Sequence, residues 1–212
     1  MKKPIFNLFT IIALGLVIVG CKNKSEEAST TSAKNVAESH AEAVKYTAVA
    51  EASTIEWQGF KPTGSHSGTI NIESGILTVN DGTIESGTFL IDMNSIKESE
   101  GSKRLEGHLK SADFFDVEKH PSAGFEITAY ETNDGKTMLS GNLTLKEVKN
   151  NITFPVTVIS EGDNVTLTSE VFTIDRSKWN VKYGSKSFFD DLGDKFINDN
   201  IELKIIIKAN KS

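Results

Sequence analysis

The sequence predicts an all-β domain, either a sandwich or an up-and-down barrel, and three observations carry that reading. Apolar and polar residues alternate with period two in several runs, as half-buried antiparallel strands require. Turn-forming residues separate those runs, and turns of this kind join neighbouring antiparallel strands. Only one short stretch has helical spacing instead.

In chain order, the first segment reads as a processing signal. Lys2 and Lys3 precede a short apolar run, Ile11 to Val19, which has signal-peptide flanks and is short for a membrane span. The run leads into Ile18-Val19-Gly20-Cys21, which resembles a bacterial lipobox with Ile where Leu is more usual. Residues 1–20 are therefore expected to be cleaved, and Cys21 to be lipidated and to anchor the protein to a membrane. From Lys22 to about Lys45 the chain is mostly Ser, Thr, Ala, Glu and Lys, with no aromatic residue. Such a composition buries too little surface to offset its ordering entropy, so residues 21–45 are expected to be the lipidated cysteine and a flexible tether. A short helix over residues 37–45 would be marginal alone.

The folded domain is expected over residues 46–212. Ile55 and Trp57 alternate with Glu56 and Gln58, and Ile70 and Ile72 with Thr69, Asn71 and Glu73. Phe89, Ile91 and Met93 share a face across Leu90 and Asp92. Ile201, Leu203, Ile205 and Ile207 lie opposite Glu202, Lys204 and Lys208. Turns are expected at Ser74-Gly75, Asn80-Asp81-Gly82, Asn133-Asp134-Gly135 and Glu161-Gly162-Asp163-Asn164. In Ser102 to Asp116, Leu105, Leu109 and either Ala112 or Asp113 fall at helical spacing, followed by Phe114-Phe115. One or two short helices near residues 102–116 are expected to cross an end of the barrel and to stop before Pro121.

Composition narrows the function. Cys21 is the only cysteine, so the mature domain has no disulfide and rests on packing. The roughly 190 residues after it suffice for one core and are too few for two comfortable domains. Removal of Lys2 and Lys3 moves the net charge from −6 to about −8, which argues against nucleic acid or another polyanion as partner. His66, His108 and His120 lack metal-ligand spacing. There is no Gly-x-Ser-x-Gly elbow and no phosphate-binding Gly-rich loop. No catalytic residue, metal or cofactor is assigned on these grounds.

Two segments are the most distinctive: His108 to Phe125 and Phe172 to Ser185. With Gly64-Ser65-His66-Ser67-Gly68, Gly141 to Lys146, Phe154-Pro155-Val156 and Phe196 to Leu203, they resemble the YceI-like family, in that family's order, from about Thr54 to Ile207. Glu147 stands where the family usually has Gly, and His120 where an aromatic residue commonly precedes the Pro. The resemblance implies a lipocalin-like antiparallel β-barrel of about eight strands around an elongated apolar tunnel. It also implies a ligand such as a polyisoprenoid chain, an isoprenoid quinone or a fatty-acid amide.

The tunnel candidates are aromatic: Phe114, Phe115, Phe125, Phe154, Phe172, Trp179, Tyr183, Phe188 and Phe189. Ordinary core is the competing role for most of them. The adjacent pairs Phe114-Phe115 and Phe188-Phe189 stand out, because neighbours on a strand face opposite ways and one ring of each would need a cover. His66, His108, Asp175 and Arg176 are the candidates for a polar head group, since Arg suits phosphate. For Asp175 and Arg176 the competing role is to brace the corner before Trp179. The function expected is an extracytoplasmic, membrane-anchored carrier enclosing a long-chain amphiphile, an isoprenoid lipid or quinone. A hydrolase or isomerase would instead need a histidine paired with Asp113 or Asp175 within hydrogen-bond reach. A filled barrel serving as an interaction module would show no tunnel and an exposed apolar patch.

Overall fold

The computed structural model describes residues 25–212, so the signal segment 1–20 and the lipidation site Cys21 lie outside the described residues. The strands in chain order are β1 (Glu26–Glu27), β2 (Ser29–Ser32), β3 (Val44–Ala48), β4 (Thr54–Lys61), β5 (Gly64–Asn80) and β6 (Thr83–Glu98). They continue with β7 (Ser122–Asn133), β8 (Lys136–Leu145), β9 (Val148–Glu161), β10 (Asn164–Ser169), β11 (Phe172–Asp175) and β12 (Asn200–Lys211). One α-helix, α1 (Lys103–Lys110), follows β6.

The hairpins are made by left-handed turn residues. Asp81 and Gly82 between β5 and β6 have φ of 47° and 78°, and Asp134 and Gly135 between β7 and β8 have 52° and 77°. Two consecutive positive φ values match the twist of antiparallel strands, which is why Asp-Gly serves at both places. The β8–β9 hairpin uses Lys146 and Glu147, at 49° and 65°, without a glycine. The turn expected at Ser74-Gly75 is not there. β5 runs through it, and its register with β6 shifts between Ile72 and Ser74 instead. Gly75 packs beneath the Phe89 ring, where a Cβ would collide, so the glycine serves a close approach at a bulge rather than a turn.

The strands close into a ring of eight positions, β4-β5-β6-β7-β8-β9-β10-β12 and back to β4. It is not a regular barrel, because two positions are split. β3 and β4 occupy the same gap between β5 and β12 at different heights, with a 3₁₀ turn at Ala50–Ala52 between them. β10 and β11 succeed one another along β12 in the same way. Closure removes the exposed edges an open sheet would leave.

The split at β11 leaves a gap that the N-terminal segment fills. β10 pairs with β9 only from Val156 to Glu161, and β11 does not continue that pairing. β1 lies parallel against β11, and β2 lies antiparallel against Asn150–Thr153 of β9. The chain then crosses the outer wall. The Asn142 amide accepts from the Lys34 N–H at 2.9 Å and donates to the Lys34 carbonyl at 2.7 Å. The Ala37 N–H reaches the Ile127 carbonyl, next to the bulge in β7–β8, and the His40 N–H reaches Glu85 on β6. Residues 25–43 are thus a strap lying on the ring, not the free tether their composition predicts, and no helix forms over 37–45. Hydrogen bonding to strand edges and to buried Asn142, whose Oδ1 also accepts from Asn151, supplies what the absent apolar residues could not.

Candidate functional site

Inward-facing side chains fill one half of the ring and leave the other half open. Leu77, Val79, Ile84, Ile127, Leu139, Val165 and Leu167 are buried and close the half that carries the β5–β6 and β7–β8 turns. The other half holds a cavity of about 370 Å³, within the roughly 300–1,000 Å³ usual for small-molecule sites. Its walls are Ile55 and Trp57 of β4, Ile91, Met93 and Ile96 of β6, Leu143 and Leu145 of β8, Phe172 and Ile174 of β11, and Ile201, Leu203 and Ile205 of β12. The cavity therefore does not run the full length of the ring.

Two covers meet at its mouth. α1 begins at Ser102, whose hydroxyl accepts from the Leu105 N–H, and it turns Leu105 and Leu109 towards the cavity. The turns after it bring Phe114 and Phe115 beneath the helix, with the Phe115 N–H on the Leu109 carbonyl. Lys146 pins that turn by donating to the Phe114 carbonyl at 2.7 Å, and burial holds its ammonium pKa below the usual lysine value. The second cover is the loop 176–199. Arg176 is fully buried and donates to the carbonyls of Val181, Ile197 and Asn198 at 2.7, 3.1 and 3.2 Å. It also sits 3.3 Å from Asp199. His108 joins the covers, its ring edge-on to Tyr183 at 4.5 Å and to Phe114 at 6.1 Å.

Behind His66 lies a buried acidic pair. Glu98 accepts from the backbone N–H groups of Ser102 and Glu100 and contacts His66 Nδ1 at 3.3 Å. The Ser102 N–H is the chief reason its carboxyl is held below the ordinary carboxylate value. Glu106 is held low mainly by Lys103, then by the Glu98 N–H that it accepts.

Of the residues picked out in the sequence, Phe114, Phe115, Phe125, Phe172, Tyr183, His66, His108 and Arg176 line the cavity. Five do not. Phe154 is buried and stacked on Phe172 at 4.3 Å, one layer behind the wall. Trp179 is buried with its indole N–H on the Leu143 carbonyl. Phe188 and Phe189 sit in a turn, not a strand, so both rings can point outward, and they are 41% and 49% exposed. Asp175 accepts from the Ser177 N–H and caps the 3₁₀ turn Arg176–Trp179. Arg176 reaches the wall, but with its donors occupied by the loop.

Among the described residues neither His66 nor His108 pairs with Asp113 or Asp175. His66 meets Glu98 rather than an aspartate, and His108 has aromatic neighbours. Among the described residues no three His, Cys, Asp or Glu side chains converge as a metal site would require. Sequence reasoning missed Trp57, Lys61, Lys195 and Ile197 in the wall. The alternation around Ile55 could have indicated Trp57. Nothing local marks the two lysines, which the ring closure and the loop bring to the mouth.

A family profile described as YceI-like domain matches residues 46–209. An UPF0312 protein of Pseudomonas aeruginosa (strain LESB58) is 35% identical over 74 residues, 35% of this chain and 38% of that protein. Protein YceI of Escherichia coli O157:H7 is 26% identical over 97 residues, 46% of this chain and 51% of that protein. The chain thus spans between about two fifths and one half of these relatives' length. Among solved structures, Burkholderia cenocepacia BcnA superposes with a TM-score of 0.61 at 24% identity, covering 74% of this chain and 96% of that one. A polyisoprenoid binding domain from Saccharophagus degradans, implicated in plant cell wall breakdown, gives 0.60 at 13% identity, covering 80% and 99%.

Proposed function

This chain belongs to the YceI-like family, and we propose that it binds a long-chain amphiphile, enclosing the apolar tail in the half-ring cavity and leaving the head group at the mouth. The observation that carries the reading is the cavity, walled by aliphatic and aromatic side chains and roofed by α1 and the loop 176–199. Each buried methylene contributes about 0.8 kcal/mol, so a tail can be held without strong polar contacts, although ordering of a flexible chain offsets part of that gain. A structural relative described as a polyisoprenoid binding domain supports an isoprenoid lipid or quinone as the ligand class. The role is carriage or sequestration rather than catalysis. Lipidation at Cys21 would place it on an extracytoplasmic face of a bacterial membrane, a reading supported by Ile18-Val19-Gly20-Cys21.

The test is native mass spectrometry of the purified protein, followed by organic extraction. The expected result is a stoichiometric long-chain adduct. A mass that stays bare after incubation with polyprenyl, quinone and fatty-amide candidates would overturn the proposal.

A further inference from the structure

The ionisable nitrogen side chains in the cavity wall are all basic. Lys61 ends β4, Lys195 lies in the loop 176–199, and His66, His108 and Arg176 complete the titratable groups apart from Tyr183, with no carboxylate among the lining residues. A chain with 29 acidic and 23 basic side chains makes that one-sidedness unexpected for a random stretch of surface. The cations differ in availability. Arg176 is occupied by three carbonyls and Asp199, and His66 is in contact with Glu98. Lys61 and Lys195 have no carboxylate partner among the described residues. The two come from segments that are bonded together, since the Asn198 N–H donates to the Phe60 carbonyl at 2.8 Å. Trp57, also in the wall, keeps a buried indole N–H with no partner among the described residues.

From this we infer that the mouth is a site for an anionic head group, a phosphate or a carboxylate, held by Lys61 and Lys195. The inference rests on the tail-binding reading above and names the head-group class within it. An ammonium group is a strongly hydrated point charge with three donors, suited to phosphate or carboxylate oxygens. Beside a low-dielectric cavity its attraction for an anion exceeds what it would be in open water. Both lysines are exposed, so a neutral alcohol or quinone head would leave them hydrated and gain nothing from their charge.

The experiment titrates the full chain with three probes sharing one tail, farnesol, farnesyl monophosphate and farnesoic acid, and follows the fluorescence of Trp57 and Trp179 at low and high salt. At least one anion is expected to bind about tenfold or more tightly than farnesol at low salt, and the ratio to shrink as salt screens the mouth. Whether the phosphate or the carboxylate binds more tightly identifies the source of the charge. In the K61Q/K195Q double variant the ratio of anion to farnesol affinity should fall to near one. Equal affinity for all three probes in the parent protein, or a preference that survives in the double variant, would overturn the anionic site and leave tail binding standing. Binding of none of the three would overturn the anionic site, tail binding itself being decided by the mass-spectrometric test above.

Discussion

Single residues at tight places tie the wall of the cavity to stability. Gly141 lies under the Phe125 ring, where a Cβ would overlap it, and Phe125 lines the cavity. In Gly141→Ala the ring has to move into the cavity, so the variant should lose about 1–3 kcal/mol and hold a shorter tail, as urea denaturation and the size of the extracted ligand would show. Glu147 presents the opposite case. It adopts φ of 65°, where a non-glycine residue costs about 1–2 kcal/mol, while glycine adds about 0.4–1 kcal/mol of unfolded-state entropy. Glu147→Gly should therefore stabilise the protein by about 0.5–1 kcal/mol, read as a raised denaturation midpoint. Arg176 braces the loop rather than a ligand. Arg176→Met strips the Val181, Ile197 and Asn198 carbonyls of their donor and leaves Asp199 without its cation. It should cost about 3–5 kcal/mol and open the loop 176–199 to hydrogen exchange.

At the scale of elements, α1 and the strap depend on polar contacts that respond to different tests. The connection from β6 into α1 is held by Glu98 and Glu106, both with carboxyl pKa values lowered in the folded protein. A lowered folded value means that their stabilisation is complete above the ordinary value of 4.5 and is lost as pH falls through the folded value. Melting temperature should accordingly decline below about pH 4.5, and Glu98→Gln should flatten that decline at the expense of stability at neutral pH. A slope unaltered in the variant would show that Glu98 is not a source of it. The strap is tested at Asn142, whose amide pairs with both backbone groups of Lys34. Asn142→Ala leaves those groups unpaired against the wall and should cost about 1–3 kcal/mol, with faster exchange across residues 28–37.

For the whole molecule, the strap changes how a lipid anchor would act. A free tether of 25 residues would let the domain range far from a bilayer. With the chain docked on the ring from Ser25 onward, that reach is lost. Limited proteolysis distinguishes the two arrangements. Residues 25–43 should resist cleavage about as well as the strands they cover, whereas rapid cutting there at native pH would mean that the strap is undocked. The exposed rings of Tyr183, Phe188 and Phe189 lie on the loop at the cavity mouth.

What the sequence determined alone is local in origin. Alternation along Ile201–Ile207 and around Phe89 specifies half-buried strands, Asp-Gly pairs specify two hairpins, and Ser102 with Leu105 and Leu109 specifies α1, because each signal depends on neighbours within a few residues. The ordered YceI-like segments added the ring itself. Tertiary structure decided the rest, because it depends on which strand lies beside which. Ser74-Gly75 reads as a turn until Phe89 on the next strand is seen to need the space. Phe154 and Phe125 are both strand aromatics, yet only the ring geometry places one behind the wall and the other in it. The strap has the composition of a disordered segment and gains order from a gap between β9 and β11 that no local pattern announces. Lys61 and Lys195, more than 130 residues apart in sequence, share a rim only once the barrel is closed, since a charge cluster made by long-range contacts leaves no trace in local spacing.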